Sequence, residues 1–101
     1  MSFQFTKKDD FEHLDPAIKA LVPKIITNRI NEFDQAMASF KTHDFEQICS
    51  YCHKVEGVAV CYGLYQLDEI IRYIHQLAKA QNSGELDAVV SILKAYFDSK
   101  K

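Results

Sequence analysis

Hydrophobic residues that recur at steps of three and four positions most strongly limit the folds open to this chain. The spacing is clearest from Ile18 to Phe40, where it places one apolar stripe along a helix that ends near Lys41. Helices of this kind with short connections lie antiparallel to their neighbours. The sequence therefore predicts an all-α fold, an antiparallel up-down-up-down four-helix bundle. The same spacing returns at positions 44–62, 64–78 and 85–97.

Turn and capping residues set the expected helix ends. Asp15 and Pro16 are typical of a helix start, and Pro23 predicts either a kink or a helix that properly begins near it. A compact break at positions 42–44 precedes the second long helix. Gly63 is the expected terminator of that helix, because glycine enters the left-handed region without penalty. The second helix is therefore expected to run unbroken from the break to Gly63.

The composition fits one helical domain. At 101 residues the chain has room for a single core, and we expect one domain over residues 1–101, with residues 1–14 as an N-terminal arm or short helix. Its 48% apolar and 26% charged residues are those of an ordinary globular protein and not of a disordered one. Three glycines and two prolines are too few for an all-β chain, which needs turn residues every ~8–12 positions.

The charge and the lack of export or membrane signals exclude several partners. A net charge of −2 and a pI of about 6.0 provide no basic field for a phosphate backbone, so we expect no nucleic-acid partner. No apolar run reaches the ~18 residues of a membrane span, and the N-terminus lacks a secretory pattern. We therefore expect a cytoplasmic protein with no membrane contact. Cys49, Cys52 and Cys61 are then expected to be free thiols.

The second long helix carries the candidate chemistry. On a helical wheel its apolar residues share one inward arc, and His53 points away from that arc. Gly57, one turn beyond His53, is expected to leave the ring uncovered. Glycine inside a helix costs about 1 kcal/mol relative to alanine, so its presence suggests that something approaches the backbone beside His53, with relief of crowding as the alternative. The inward set is Phe45, Ile48, Cys52, Val55, Ala59 and Tyr62.

The residues after His53 form a pattern of an apolar Val55, glycines at positions 57 and 63, and then Leu67. This pattern resembles the histidine-containing phosphotransfer (HPt) domains of two-component phosphorelays, and the helix order extends the resemblance over most of the chain after about Asp15. The chain departs from the family at Glu56, where lysine is usual, at Val58, where serine is common, and at Cys61, where asparagine often sits.

The resemblance implies a phosphocarrier. His53 would accept a phosphoryl group from the aspartate of one response-regulator receiver domain and pass it to another, with a hybrid sensor histidine kinase upstream. Lys54, Glu56 and Gly57 would neighbour the phosphoryl group. This chain would be a monomeric carrier and not an enzyme, and it would bind no cofactor or metal, since Mg²⁺ comes with the receiver. The receiver would dock on Ser50, Val60 and Leu64, with Gly57 in the same patch.

Several alternatives remain open at this point. The Glu56 carboxylate is expected to face the phosphoryl charge, at a cost of only a few tenths of a kcal/mol when exposed, and Lys54 to replace part of the missing cation. A degenerate module that docks receiver or kinase domains without transfer is the alternative function. The stretch from Cys49 to His53 also matches the C-x-x-C-H signature of c-type haem attachment, which belongs to exported proteins. A zinc site at these cysteines would lack a second ligand pair.

Overall fold

The computed structural model describes residues 3–101, and every regular secondary-structure element among them is an α-helix, as predicted. Met1 and Ser2, which belong to the expected domain and arm, lie outside the described residues. None of the helices in the described part of the chain has the length and hydrophobicity that crossing a bilayer requires. The helices are α1 (Pro16–Lys19), α2 (Val22–Lys41), α3 (Phe45–Val55), α4 (Val58–Cys61), α5 (Tyr65–Lys79) and α6 (Ser83–Asp98).

The four longer helices enclose one hydrophobic core. α2 contacts α3 and α6, and α5 also contacts α3 and α6, so each longer helix has two long neighbours. Ile48 of α3, Ile71 of α5 and Leu93 of α6 are fully buried, and the ring of Phe33 on α2 lies 5.1 Å from that of Phe97 on α6. This packing places α3 between α2 and α5 and leaves its outer face to solvent.

Proline decides where the first long helix begins. The Asp15 carboxylate accepts a hydrogen bond from the amide of Ala17 and caps α1. α1 ends at Lys19, and α2 begins at Val22 with Pro23 in its first turn. The amides of the first helical turn have no carbonyl partner within the helix, so a proline there, which lacks an amide hydrogen, removes no helical hydrogen bond. Of the two expected outcomes at Pro23, the structure shows the new helix start.

The prediction of one unbroken helix up to Gly63 is wrong. The side chain of Asp44 caps α3, but the helix ends at Val55. Gly57 has a φ of +82°, in the left-handed region that a right-handed helix does not contain. The short helix α4 then begins, and its Ala59 is buried in the same core as α3. The apolar spacing therefore continues across the break and conceals it in the sequence.

Residues 3–14 form an arm without regular helix that packs on α5 and α6. The ring of Phe3 meets that of Tyr73 on α5 edge-on, with 5.2 Å between the centroids. The Asp9 carboxylate accepts hydrogen bonds from the Gln66 amide at 3.0 Å and from the Tyr96 hydroxyl at 2.9 Å. One carboxylate of the arm thus joins the first turn of α5 to the last turns of α6.

The hydroxyl of Tyr51 on α3 is buried and has no hydrogen-bond partner in the described part of the chain. Burial raises the pKa of this phenol well above its ordinary value of about 10. The unfolded chain releases the phenolic proton first as the pH rises, so the stability associated with this group is present below about pH 10 and is lost above it.

We expect Tyr51→Phe to leave the free energy of unfolding at pH 7 unchanged or to raise it by up to about 1 kcal/mol, because the hydroxyl that it removes has no partner. The variant should also lose less stability than the wild type in strongly alkaline solution. Urea unfolding at neutral pH and above about pH 10 measures both effects. A clear loss of stability at neutral pH would show that the hydroxyl does make a hydrogen bond.

Candidate functional site

His53 lies in the last turn of α3, and its side chain is exposed to solvent. The other three histidines of the chain each hydrogen-bond a neighbouring side chain, whereas His53 has no such contact with any of the residues 3–101. Both ring nitrogens of His53 are therefore open to a reactant from solvent. The three paired histidines are His13 with Tyr65, His43 with Asp87 and His75 with Glu56.

The core face of α3 explains the exposure of His53. Ile48, Cys52 and Val55 are fully buried and lie on one side of the helix. Because successive helical residues are rotated by ~100°, the residue after Cys52 turns away from that side. Lys54 is exposed as well, so an ammonium group and an imidazole share the outer surface of α3.

Glu56, which the sequence placed next to the phosphoryl site, has a hydrogen-bond partner on α5. Its carboxylate lies 2.7 Å from Nδ1 of His75 on α5, and the two side chains are 20% and 14% exposed, respectively. An ionised carboxylate can only accept hydrogen bonds, so Nδ1 carries the proton. Burial and the nearby Glu56 charge together raise the pKa of the Cys52 thiol. The carboxylate of Glu56 thus has a partner on α5 that the sequence did not indicate.

Gly57 is held at the end of α3 by a buried carboxylate. Its amide donates to Asp68 at 3.2 Å, and Asp68 is only 5% exposed and also accepts from Nε of Arg72 at 2.8 Å. A Cβ atom at Gly57 would meet no atom within 4 Å, so the surface beside His53 is open. The left-handed backbone alone explains the glycine, which is therefore not an indication that a partner approaches here.

The residues expected to dock a receiver do not all reach the surface. Ser50 and Val60 are exposed. Leu64 is only 1% exposed and packs in the core, so its assignment to the docking surface is wrong. Its position just before α5 allows the side chain to be buried, which favours folding by ~1.5–3 kcal/mol for a leucine. Val58, which is not among the residues predicted for this surface, is 37% exposed and lies at the start of α4.

Gly63 lies two residues beyond the end of α4, with a φ of +74°. Its carbonyl accepts a hydrogen bond from the amide of Asp10 at 3.0 Å. The glycine that was expected to end the helix thus also binds the N-terminal arm through its carbonyl group. It lies outside the exposed surface around His53, because it is buried.

A polar groove of about 370 Å³ lies between α2 and α3. Gln35 and Ser39 line it from α2, and Ser50 and Lys54 line it from α3. His53 is not among the lining residues and stays on the outer face of α3. The fold therefore brings two of the predicted site residues, Ser50 and Lys54, to one groove edge beside the histidine.

All three cysteines are free thiols. Cys52 is fully buried and Cys49 is half-buried, so the C-x-x-C-H stretch does not present two accessible sulfurs to a haem. In residues 3–101, no three histidine, cysteine or acidic side chains are grouped closely enough to hold a metal ion.

Asp68 and His75 belong to the surroundings of this site, although the sequence did not single them out. They lie seven positions apart on α5, a spacing that puts two residues on one face of a helix two turns apart. That spacing was the available signal. It did not reveal which residues of α3 and α4 the two side chains would meet.

Comparison with protein families, with curated proteins and with solved structures finds no match to this chain.

Proposed function

We propose that this chain is a histidine phosphotransfer protein that carries a phosphoryl group on His53. The proposal is supported by the exposed imidazole of His53, the one histidine without a side-chain partner in the described part of the chain. A neutral imidazole with an accessible lone pair is a nucleophile for phosphorus. A carrier needs this accessibility twice, first to accept the phosphoryl group and then to present it to the next acceptor.

The proposed transfer forms a P–N bond on His53 and breaks the P–O bond of a receiver's aspartyl phosphate, which releases the aspartate carboxylate. Transfer to the aspartate of a second receiver reverses these steps and regenerates the imidazole. In reactions of this kind the proteins mainly position the reacting groups and neutralise charge. In the proposal the receiver brings Mg²⁺, and this chain brings the nucleophile and the exposed ammonium group of Lys54.

The fold that we propose is an antiparallel up-down-up-down bundle of α2, α3, α5 and α6. Contacts between α2 and α3, α3 and α5, and α5 and α6, with α2 also touching α6, support this arrangement. The connections at positions 42–44 and 80–82 are short, which favours antiparallel neighbours. In such a bundle α3 offers a convex outer face that a second protein can reach from solvent.

The docking patch that we propose consists of Ser50, Gly57, Val58 and Val60. The two valines are 37% and 39% exposed and give the patch an apolar part. Ser50 contributes a hydroxyl, and Gly57 contributes no side chain that could cover the neighbouring ring. Small, partly polar surfaces of this type are typical of transient signalling contacts.

The setting that we propose is a cytoplasmic phosphorelay in which the chain acts as a single-domain monomer. Its partners in the proposal are response-regulator receiver domains and a hybrid sensor histidine kinase. The pattern of His53, Gly57 and Gly63 and the order of the helices support this assignment through their resemblance to the HPt family. No cofactor of its own is required, because the receiver supplies the metal ion.

Transfer from a labelled receiver tests the proposed function. Each receiver domain of the source organism is charged with radioactive phosphate and mixed with the chain, and acid-labile, base-stable label on the chain is followed over time. We expect at least one receiver to label the chain and the labelled chain to return the phosphoryl group to a receiver. A receiver that binds without transfer would favour the docking-module alternative, and either that result or a complete set without labelling would overturn the proposal.

A further inference from the structure

We propose that His75 is a positioning residue for the phosphoryl site, because its hydrogen bond to Glu56 holds that carboxylate on the α5 side of α3 and away from the ring of His53. This inference rests on the proposed function and adds to it a residue outside the exposed surface.

The backbone places Glu56 next to His53. The amide of Glu56 donates to the carbonyl of Cys52 at 2.9 Å. Its φ of −57° is in the helical range although its ψ of 136° is not, and because φ orients the Cα–Cβ bond relative to the preceding backbone, that bond still follows the path of α3. Side chains three residues apart on a helix have Cβ atoms about 5–6 Å apart on the same surface. The backbone alone would therefore allow the carboxylate to lie beside the His53 ring, and the side-chain rotamer decides whether it does.

His75 selects the rotamer that points away. The 2.7 Å contact between Glu56 and Nδ1 of His75 joins the end of α3 to the middle of α5. Both side chains are mostly buried, so water competes for this hydrogen bond less than it would at the surface. The contact is therefore strong enough to hold one orientation of a flexible glutamate side chain.

Two ionisable groups on the inner side of α3 and on α5 lie close enough to Glu56 to be affected by its charge. The carboxylate contributes to the raised pKa of the buried Cys52 thiol, after the larger effect of burial. It also contributes to the raised pKa of Arg72 on α5, after the larger effects of the hydrogen bond and charge of Asp68. Both groups lie on the inner or α5 side of α3, whereas His53 and Lys54 lie on the outer side.

The consequence for transfer is electrostatic. A phosphoryl group on His53 carries negative charge, and a free carboxylate one turn away would disfavour it. With Glu56 turned to His75, the charged residue nearest to His53 along α3 is the exposed Lys54. His75 thus allows a chain with glutamate at this position to keep a phosphoryl site without a neighbouring anion.

Four proteins test this inference: the wild type, His75→Ala, His75→Asn and the double variant His75→Ala/Glu56→Gln. Each is mixed with an equimolar amount of the charged receiver that labels the wild type, and the ratio of phosphohistidine to phosphoaspartate is measured at equilibrium at low and high salt. Circular dichroism on the same samples confirms that each variant is folded.

We expect His75→Ala to lower this ratio by about twofold at low salt, the size of effect of a like-charge pair one helical turn apart. The decrease should disappear at high salt, because exposed charges are screened. His75→Asn retains a donor near the position of Nδ1 and should match the wild type. The double variant has lost the His75 ring, as His75→Ala has, but it has also lost the Glu56 carboxylate. Its ratio of phosphohistidine to phosphoaspartate should therefore return to the wild-type value.

An unchanged ratio in His75→Ala, or an equal loss in the double variant, would overturn the role of His75, the latter because it would indicate a packing effect. Failure of the proposed function gives a different result, since the wild type itself would then take no label from any receiver.

Discussion

Replacing His53 with glutamine should reduce acid-labile labelling by a charged receiver to the background level. The amide nitrogen of glutamine has no lone pair available for attack on phosphorus, and the other three histidines have side-chain partners. The His53 side chain is exposed and lies outside the core, so the free energy of unfolding should change by less than about 0.5 kcal/mol. Label transfer and urea unfolding on the same preparation measure the two effects separately.

His43→Gln is the matched control for this substitution. His43 lies just before α3, and its Nε2 is 2.9 Å from the Asp87 carboxylate, so the control also removes an imidazole at the surface of the same region. It should keep full labelling, although it loses that contact. Label that persists in His53→Gln, or that disappears in His43→Gln, would assign the phosphoryl group to a residue other than His53.

Replacing Gly63 with alanine should destabilise the fold by about 3 kcal/mol or more. The φ of +74° is a conformation that costs an alanine ~1–2 kcal/mol. The new Cβ would also lie 2.1 Å from the carbonyl oxygen of Asp10 and 3.1 Å from the Phe11 ring, so the arm must shift. Such overpacking adds ~1–3 kcal/mol, and the hydrogen bond between the Asp10 amide and the Gly63 carbonyl would be strained.

Gly57→Ala helps to separate the backbone cost of a positive φ from the cost of overpacking against the arm. Gly57 has a φ of +82°, but no atom lies within 4 Å of where its Cβ would be. The substitution should cost only the backbone part, about 1–3 kcal/mol, since the ψ of −44° at Gly57 lies outside the favourable left-handed α conformation. Urea unfolding of both variants measures the difference, and hydrogen exchange of the Asp10 amide reports whether the arm has shifted in Gly63→Ala. An Asp10 amide that exchanges as slowly in Gly63→Ala as in the wild type would show that the arm does not shift and would contradict the prediction.

Apolar spacing was sufficient to predict the helical class and the inner face of α3. Ile48, Cys52 and Val55 were assigned inward from their spacing, and all three are fully buried. The outward direction of His53 follows from the same wheel, and its side chain is exposed. Predictions of this kind succeed because the side of a helix on which a residue lies depends only on its position along that helix.

The neighbours of His53 could not be predicted in this way. The sequence indicated an unbroken helix through Gly57, which is wrong, and it did not indicate the hydrogen bond between Glu56 and His75. The carboxylate of Asp68 on α5 accepts a hydrogen bond from the Gly57 amide where the backbone turns. The side chain of Glu56 is held by a hydrogen bond to His75, nineteen positions further along the chain. Local spacing gives each helix its buried and exposed faces, but the pairing of charges between α3 and α5 depends on how those faces pack.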